Sequence, residues 1–165
     1  MQAFFDYIPF VVKGLWITVL LALASGAGML LVGMLLATVG RARSRKLKQF
    51  VSWYTSFFRS VPELIVILLL YFGGSLLIRD VYLFFGSTEP PVISPFIAGV
   101  AALSLCYGAF ASETLRGAFA GISDGDKDAG KALGMSRSLR LRRIVWPQVW
   151  RLALPGLGNL FLVLL

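Results

Sequence analysis

Histidine is missing from this sequence altogether, and cysteine is down to a single residue, Cys106. Without histidine the commonest general base and metal ligand are gone, so metal sites and His-dependent catalysis are nearly excluded. A lone thiol inside an apolar run allows no disulfide framework within the chain. No G-x-x-x-x-G-K-[ST] pattern occurs, so the chain does not cradle ATP phosphates in that way. Acids are scarce as well, 8 Asp and Glu against 16 Lys and Arg, for a formal charge of +8. Charged residues make up 15% of the 165 residues while 58% are hydrophobic. Soluble domains run at about 45–50% apolar, so the excess points to a membrane.

A charge of +8 could suggest nucleic acid, but its placement rejects that partner. Five of the basic residues fall in 41–48 and seven in 127–151, which is twelve of the sixteen, and long apolar runs flank both segments. That is the pattern of cytoplasmic loops between spans. Residues 1–13 have neither the basic start nor the small-residue cleavage site of a removable signal peptide. Residues 14–40 carry no charge and exceed the ~20 residues a spanning helix needs. Within them Ala22/Gly26, Ala24/Gly28 and Gly33/Ala37 are small pairs four apart, which lets a neighbouring helix pack closely. Arg41, Arg43, Arg45, Lys46 and Lys48 then fix that end in the cytoplasm and leave the N-terminus outside. Residues 47–58 are aromatic and amphiphilic, fit for the interface. Further spans are expected at 61–78 and 95–117, the first entered past Arg59 and Glu63, which can pair four apart. Arg79, Asp80, Glu89, Pro90, Pro91 and Pro95 make the outer connection between them. A fourth span, 152–165, is incomplete at 14 residues, so the chain reads as part of a longer protein. The expected fold class is all-α, integral to the membrane and multi-span.

Residues 121–150 form one long polar island. Ser123 and Asp126 read as a loose capping box, and Asp126 and Asp128 suit the positive end of a helix. Ala129, Gly130 and Ala132 leave that helix nearly bare, so another protein's surface can approach its backbone. Gly134 is placed to end it, and a second short helix is expected from Ser136 until Pro147 perturbs it. On charge alone this is a basic juxtamembrane loop lying on anionic lipid.

The order of residues says more. Asp128-Ala129-Gly130, three residues, Gly134, nine residues, then Ile144-Val145-Trp146-Pro147 resembles the EAA loop of binding-protein-dependent ABC importer permeases. Asp128 stands for the family's Glu, Gly130 for its second Ala and Trp146 for its Leu, while the Gly and Pro anchors keep their spacing. Arg59-Ser60-Val61-Pro62-Glu63-Leu64, Ser112-Glu113-Thr114-Leu115-Arg116-Gly117 and Leu154-Pro155-Gly156-Leu157-Gly158-Asn159 are similar to the polar amino-acid branch. Ser94-Pro95-Phe96, residues 101–105, Tyr107 and Ala111-Ser112 are most similar to its arginine permeases.

The resemblance implies a passive, multi-pass permease of the bacterial inner membrane, importing arginine or another basic amino acid, with no cofactor of its own. It implies a pair of ATPase subunits that hydrolyse the ATP, a homologous second permease subunit and a periplasmic binding protein. Coupling to the ATPase would then fall on Asp128, Ala129, Gly130, Ala132, Leu133, Gly134, Ile144 and Pro147. Glu113 and Arg116, three apart at membrane depth, either neutralise each other or line the substrate pathway. Asn159 beside Pro155, and Tyr107, are further pathway candidates. The alternatives are a permease for another polar amino acid or an opine, a membrane scaffold, or an intramembrane enzyme. No facing nucleophile and base supports the last, and a scaffold has no need of the spacing from Gly134 to Pro147.

Overall fold

The computed structural model describes residues 2–86 and 91–165, with side chains from Tyr7 onward. Glu89 and Pro90 of the expected outer connection lie outside the described residues. All regular structure among the described residues is helical.

Helix α1, Gln2–Val39, is 38 residues long and begins well before the expected Gly14. Pro9 removes one backbone donor without ending it. Helix α2, Arg45–Ser60, ends where Val61 turns extended (φ −99°, ψ 128°), as a residue before proline prefers. Helix α3, Glu63–Leu68, leads through a π-helical turn, Leu69–Gly73, into α4, Gly74–Phe84. This body outruns the expected span 61–78, so Arg79 and Asp80 sit on its last turns instead of in a loop. Helix α5, Pro95–Ala120, starts on a proline whose missing N–H would be unpaired there anyway. By length and composition Tyr7–Val39, Glu63–Phe84 and Pro95–Ala120 can each cross a membrane.

Two short helices follow, α6 over Asp124–Ala132 and α7 over Arg137–Arg140. A second π-helical turn, Leu141–Val145, then leads into α8, Trp146–Leu164. The break expected at Pro147 is therefore not at Pro147. The proline occupies the first turn of α8, and the ladder adjusts one turn earlier. Proline cannot donate to the carbonyl four residues back, and the widened turn absorbs that loss. Pro155 sits inside α8 without ending it.

Helix α5 is the centre of the bundle, packed mainly on α1 and then on α8, α2 and α3. Small residues set the α1–α5 distance. A β-carbon on Gly28 would stand 2.7 Å from Ser104 Cβ, one on Gly33 2.7 Å from Ala111 Cβ, and one on Gly108 2.5 Å from Val32 Cγ1. Ala22 and Ala37 are buried on the same stripe of α1, so the small pairs are packing residues. Met29, Cys106, Ala111, Leu115, Val149, Ala153 and Leu157 continue the core toward α8.

Candidate functional site

The polar island is a compact helix-turn-helix. Ser123 Oγ caps α6 by accepting from Gly125 N at 3.1 Å. The expected capping box stays open, because Asp126 turns away to accept from Gln148 Nε2 of α8 at 3.1 Å. Lys127 bonds Asp124 at 2.8 Å, and that hydrogen bond and charge hold the Asp124 carboxyl below its ordinary pKa. Lys131 pairs with Asp128 at 2.6 Å.

Gly134 ends α6 in the left-handed region, φ +71°. Its N–H donates to Lys131 O at 2.9 Å, and Met135 N–H donates to Gly130 O at 3.0 Å. These two bonds close the C-terminal motif that a glycine at this position permits. Ser136 Oγ then accepts from Leu139 N, capping α7.

Gly130 corrects an expectation. It is buried, and a β-carbon there would meet Ile144 Cδ1 at 2.7 Å and Arg140 Cδ at 2.9 Å. Its bareness serves close packing of α6 on the following segment of this chain. The face that α6 turns outward carries Asp128, Ala129, Ala132 and Leu133. Leu133 is 75% exposed, an apolar side chain at the tip of a polar loop. Ile144 is half-buried under Gly130, and Pro147 is exposed at the start of α8.

The four pathway candidates do not converge. Glu113 Oε1 accepts from Arg116 Nη1 at 2.7 Å, with side chains 35% and 40% exposed. Tyr107 is 8% exposed in the core, and Asn159 is exposed on α8. Tyr107 instead lines a cleft of about 260 Å³ beside the α2–α3 break, with Arg59, Glu63, Cys106 and Phe110. The expected Arg59–Glu63 pair is absent among the described residues, and the Arg59 guanidinium lies over the Phe110 ring, 5.4 Å from its centroid. Pro62 is the reason. It interrupts the helix between them, so a four-residue spacing no longer means one face. A four-residue spacing taken as continuous helix hides this cleft, and Pro62 is the residue in the sequence that marks it.

Residues 29–165 match the family described as binding-protein-dependent transport system inner membrane component, and the chain belongs to that family. It is 42% identical over 167 residues to the arginine ABC transporter permease protein ArtQ of Escherichia coli K12, covering 87% of this chain and 70% of that protein. It is 38% identical over 153 residues to the nopaline transport system permease protein NocQ of Agrobacterium fabrum, covering 90% of this chain and 64% of the relative. A crystal structure of an amino acid ABC transporter with histidines superposes with a TM-score of 0.77 at 28% identity, over 98% of this chain and 70% of that one.

Proposed function

We propose that this chain is a permease subunit of an ATP-driven amino-acid importer in a bacterial inner membrane, preferring arginine or another basic amino acid. A separate pair of ATPase subunits docks on the outward face of α6. A homologous second permease subunit and a periplasmic binding protein complete the assembly. The observation that carries this reading is Leu133, an exposed leucine outside the apolar spans. Large apolar side chains held outward in a charged loop suit a partner surface. Ala129 and Ala132 widen that patch without obstructing it. The patch is also stiffly joined to the bundle, through Gly130 on Ile144 and Asp126 on Gln148, so movement of the ATPase reaches α8 directly.

The relatives named for arginine and nopaline support the substrate class. On this reading the amino acid passes Tyr107, with the Glu63 carboxylate and Arg59 guanidinium available for its charged ends. Glu113 and Arg116 line the pathway further along α5, and Asn159 adds an amide from α8.

Leu133→Asp and Ala129→Trp test the docking face, since neither touches the interior of the loop. Both variants are expected to insert normally and to lose the ATPase on purification of the permease. Retention of the ATPase by both would sink this reading.

A further inference from the structure

We propose that the cleft between the end of α1, the end of α5 and the α6–α7 turn binds a phosphate group, supplied by the headgroup of an anionic phospholipid. The cleft measures about 400 Å³ and is lined by five cations, Arg41, Lys127, Lys131, Arg137 and Arg140, and two carboxylates, Asp124 and Asp128. Five minus two leaves three positive charges. The balance is also spatially sorted. Lys127 and Lys131 are paired to Asp124 and Asp128, whereas Arg41, Arg137 and Arg140 make no ion pair among the described residues.

One of these guanidinium groups is held in place by an aromatic ring, and a second is carried on a stem that is itself packed. Arg41 lies 3.9 Å from the centroid of the Phe119 ring, and the Arg140 stem packs against bare Gly130. Arg137 lines both this cleft and a neighbouring one of about 370 Å³ that shares Arg41 and Phe119. Positioned guanidinium groups are good receptors for phosphate oxygens, because their fork matches the phosphate's geometry.

The depth of the cleft selects the source of the phosphate. The apolar part of α1 ends at Val39, two residues before Arg41, and that of α5 ends at Ala120, one residue after Phe119. Phe119 meets the Trp146 ring edge to face at 5.5 Å, and Trp146 stacks near Trp150. Tryptophan clustered at the end of apolar helices marks the headgroup level. Basic pockets between spans on the cytoplasmic side are where anionic headgroups bind. This inference rests on α1 and α5 crossing the membrane and does not depend on the substrate.

The test uses the whole transporter, purified with its ATPase and passed through nanodiscs of phosphatidylcholine with or without phosphatidylglycerol. Native mass spectrometry then counts retained phosphatidylglycerol. Arg137→Gln with Arg140→Gln removes guanidinium–phosphate hydrogen bonds and should weaken retention by roughly tenfold or more, and the Lys versions of both should largely keep it. The pair Arg142→Gln with Arg143→Gln removes the same charge from exposed arginines outside the cleft and should leave retention near wild type. Equal loss from both pairs means diffuse surface attraction and overturns the site. Displacement of the lipid by millimolar inorganic phosphate overturns the lipid as the source. Loss of the ATPase from the Arg137/Arg140 variant in either lipid assigns the cleft to protein docking, and the inference fails.

Discussion

Gly130 and Gly134 lie four residues apart in one loop, and each is bare for its own reason. Gly134 needs left-handed backbone (φ +71°) with open space around it. A β-carbon there costs about 1–2 kcal/mol, and a β-branched one is worse. Asparagine tolerates this region, so Gly134→Asn should keep the ATPase bound while Gly134→Val weakens its retention. Gly130 has ordinary helical backbone and no room. Gly130→Ala should loosen α6 from Ile144 and speed proteolysis within residues 121–150. Equal protease resistance and ATPase retention in all three variants would contradict both assignments.

The acidic residues of the spans separate in the same way. Glu113 already has Arg116 at 2.7 Å in a half-exposed pair, worth up to about 1 kcal/mol. Glu63 faces an open cleft with no such partner among the described residues. Glu63→Gln should therefore lower arginine uptake by roughly tenfold or more, and Glu113→Gln by less than about fivefold. A larger loss from Glu113→Gln would move the binding step to that end of α5.

At the scale of elements, the break between α2 and α3 organises the cleft. Val61 is extended, and the Val61 N–H still reaches Phe57 O at 3.2 Å, so α2 closes normally before α3 begins. Pro62→Ala removes the restriction on Val61 and lets helix propagate across the break. That variant should lose uptake while retaining the ATPase, and full uptake would show that the break is not needed. The apolar helices were legible because long uncharged runs dictate them, and α5 ends three residues past the expected 117. The early start of α1 was not, because the uncharged run begins only after Lys13, and neither that charge nor Pro9 stops the helix. The π-helical turns were not legible either. The one at Leu141–Val145 precedes Pro147, which marks a lost donor but not where the ladder widens, and nothing in the residues of Leu69–Gly73 marks the other. In the loop, the left-handed turn at Gly134 follows from residue type and spacing alone. The inward face of Gly130 depends on Ile144, fourteen positions along, and only the folded turn brings the two together.

On the scale of the whole molecule, α5 is the spine, with α1 against it through small residues and the loop hung from its end. On the proposed reading Leu133 is joined to the bundle through Gly130 on Ile144 and Asp126 on Gln148, provided the loop lies in the cytoplasm. A cysteine at Ser138, in a Cys106→Ser background, should react with a membrane-impermeant reagent only after the cells are opened. Labelling in intact cells would invert the topology. The central claim is that α6 couples an ATPase to transport. It is tested most directly by ATP hydrolysis in the reconstituted transporter, with binding protein and arginine present, comparing wild type with Leu133→Asp. The account predicts stimulation by arginine in the wild type and none in an equally well inserted Leu133→Asp protein. Undiminished stimulation in that variant would contradict it.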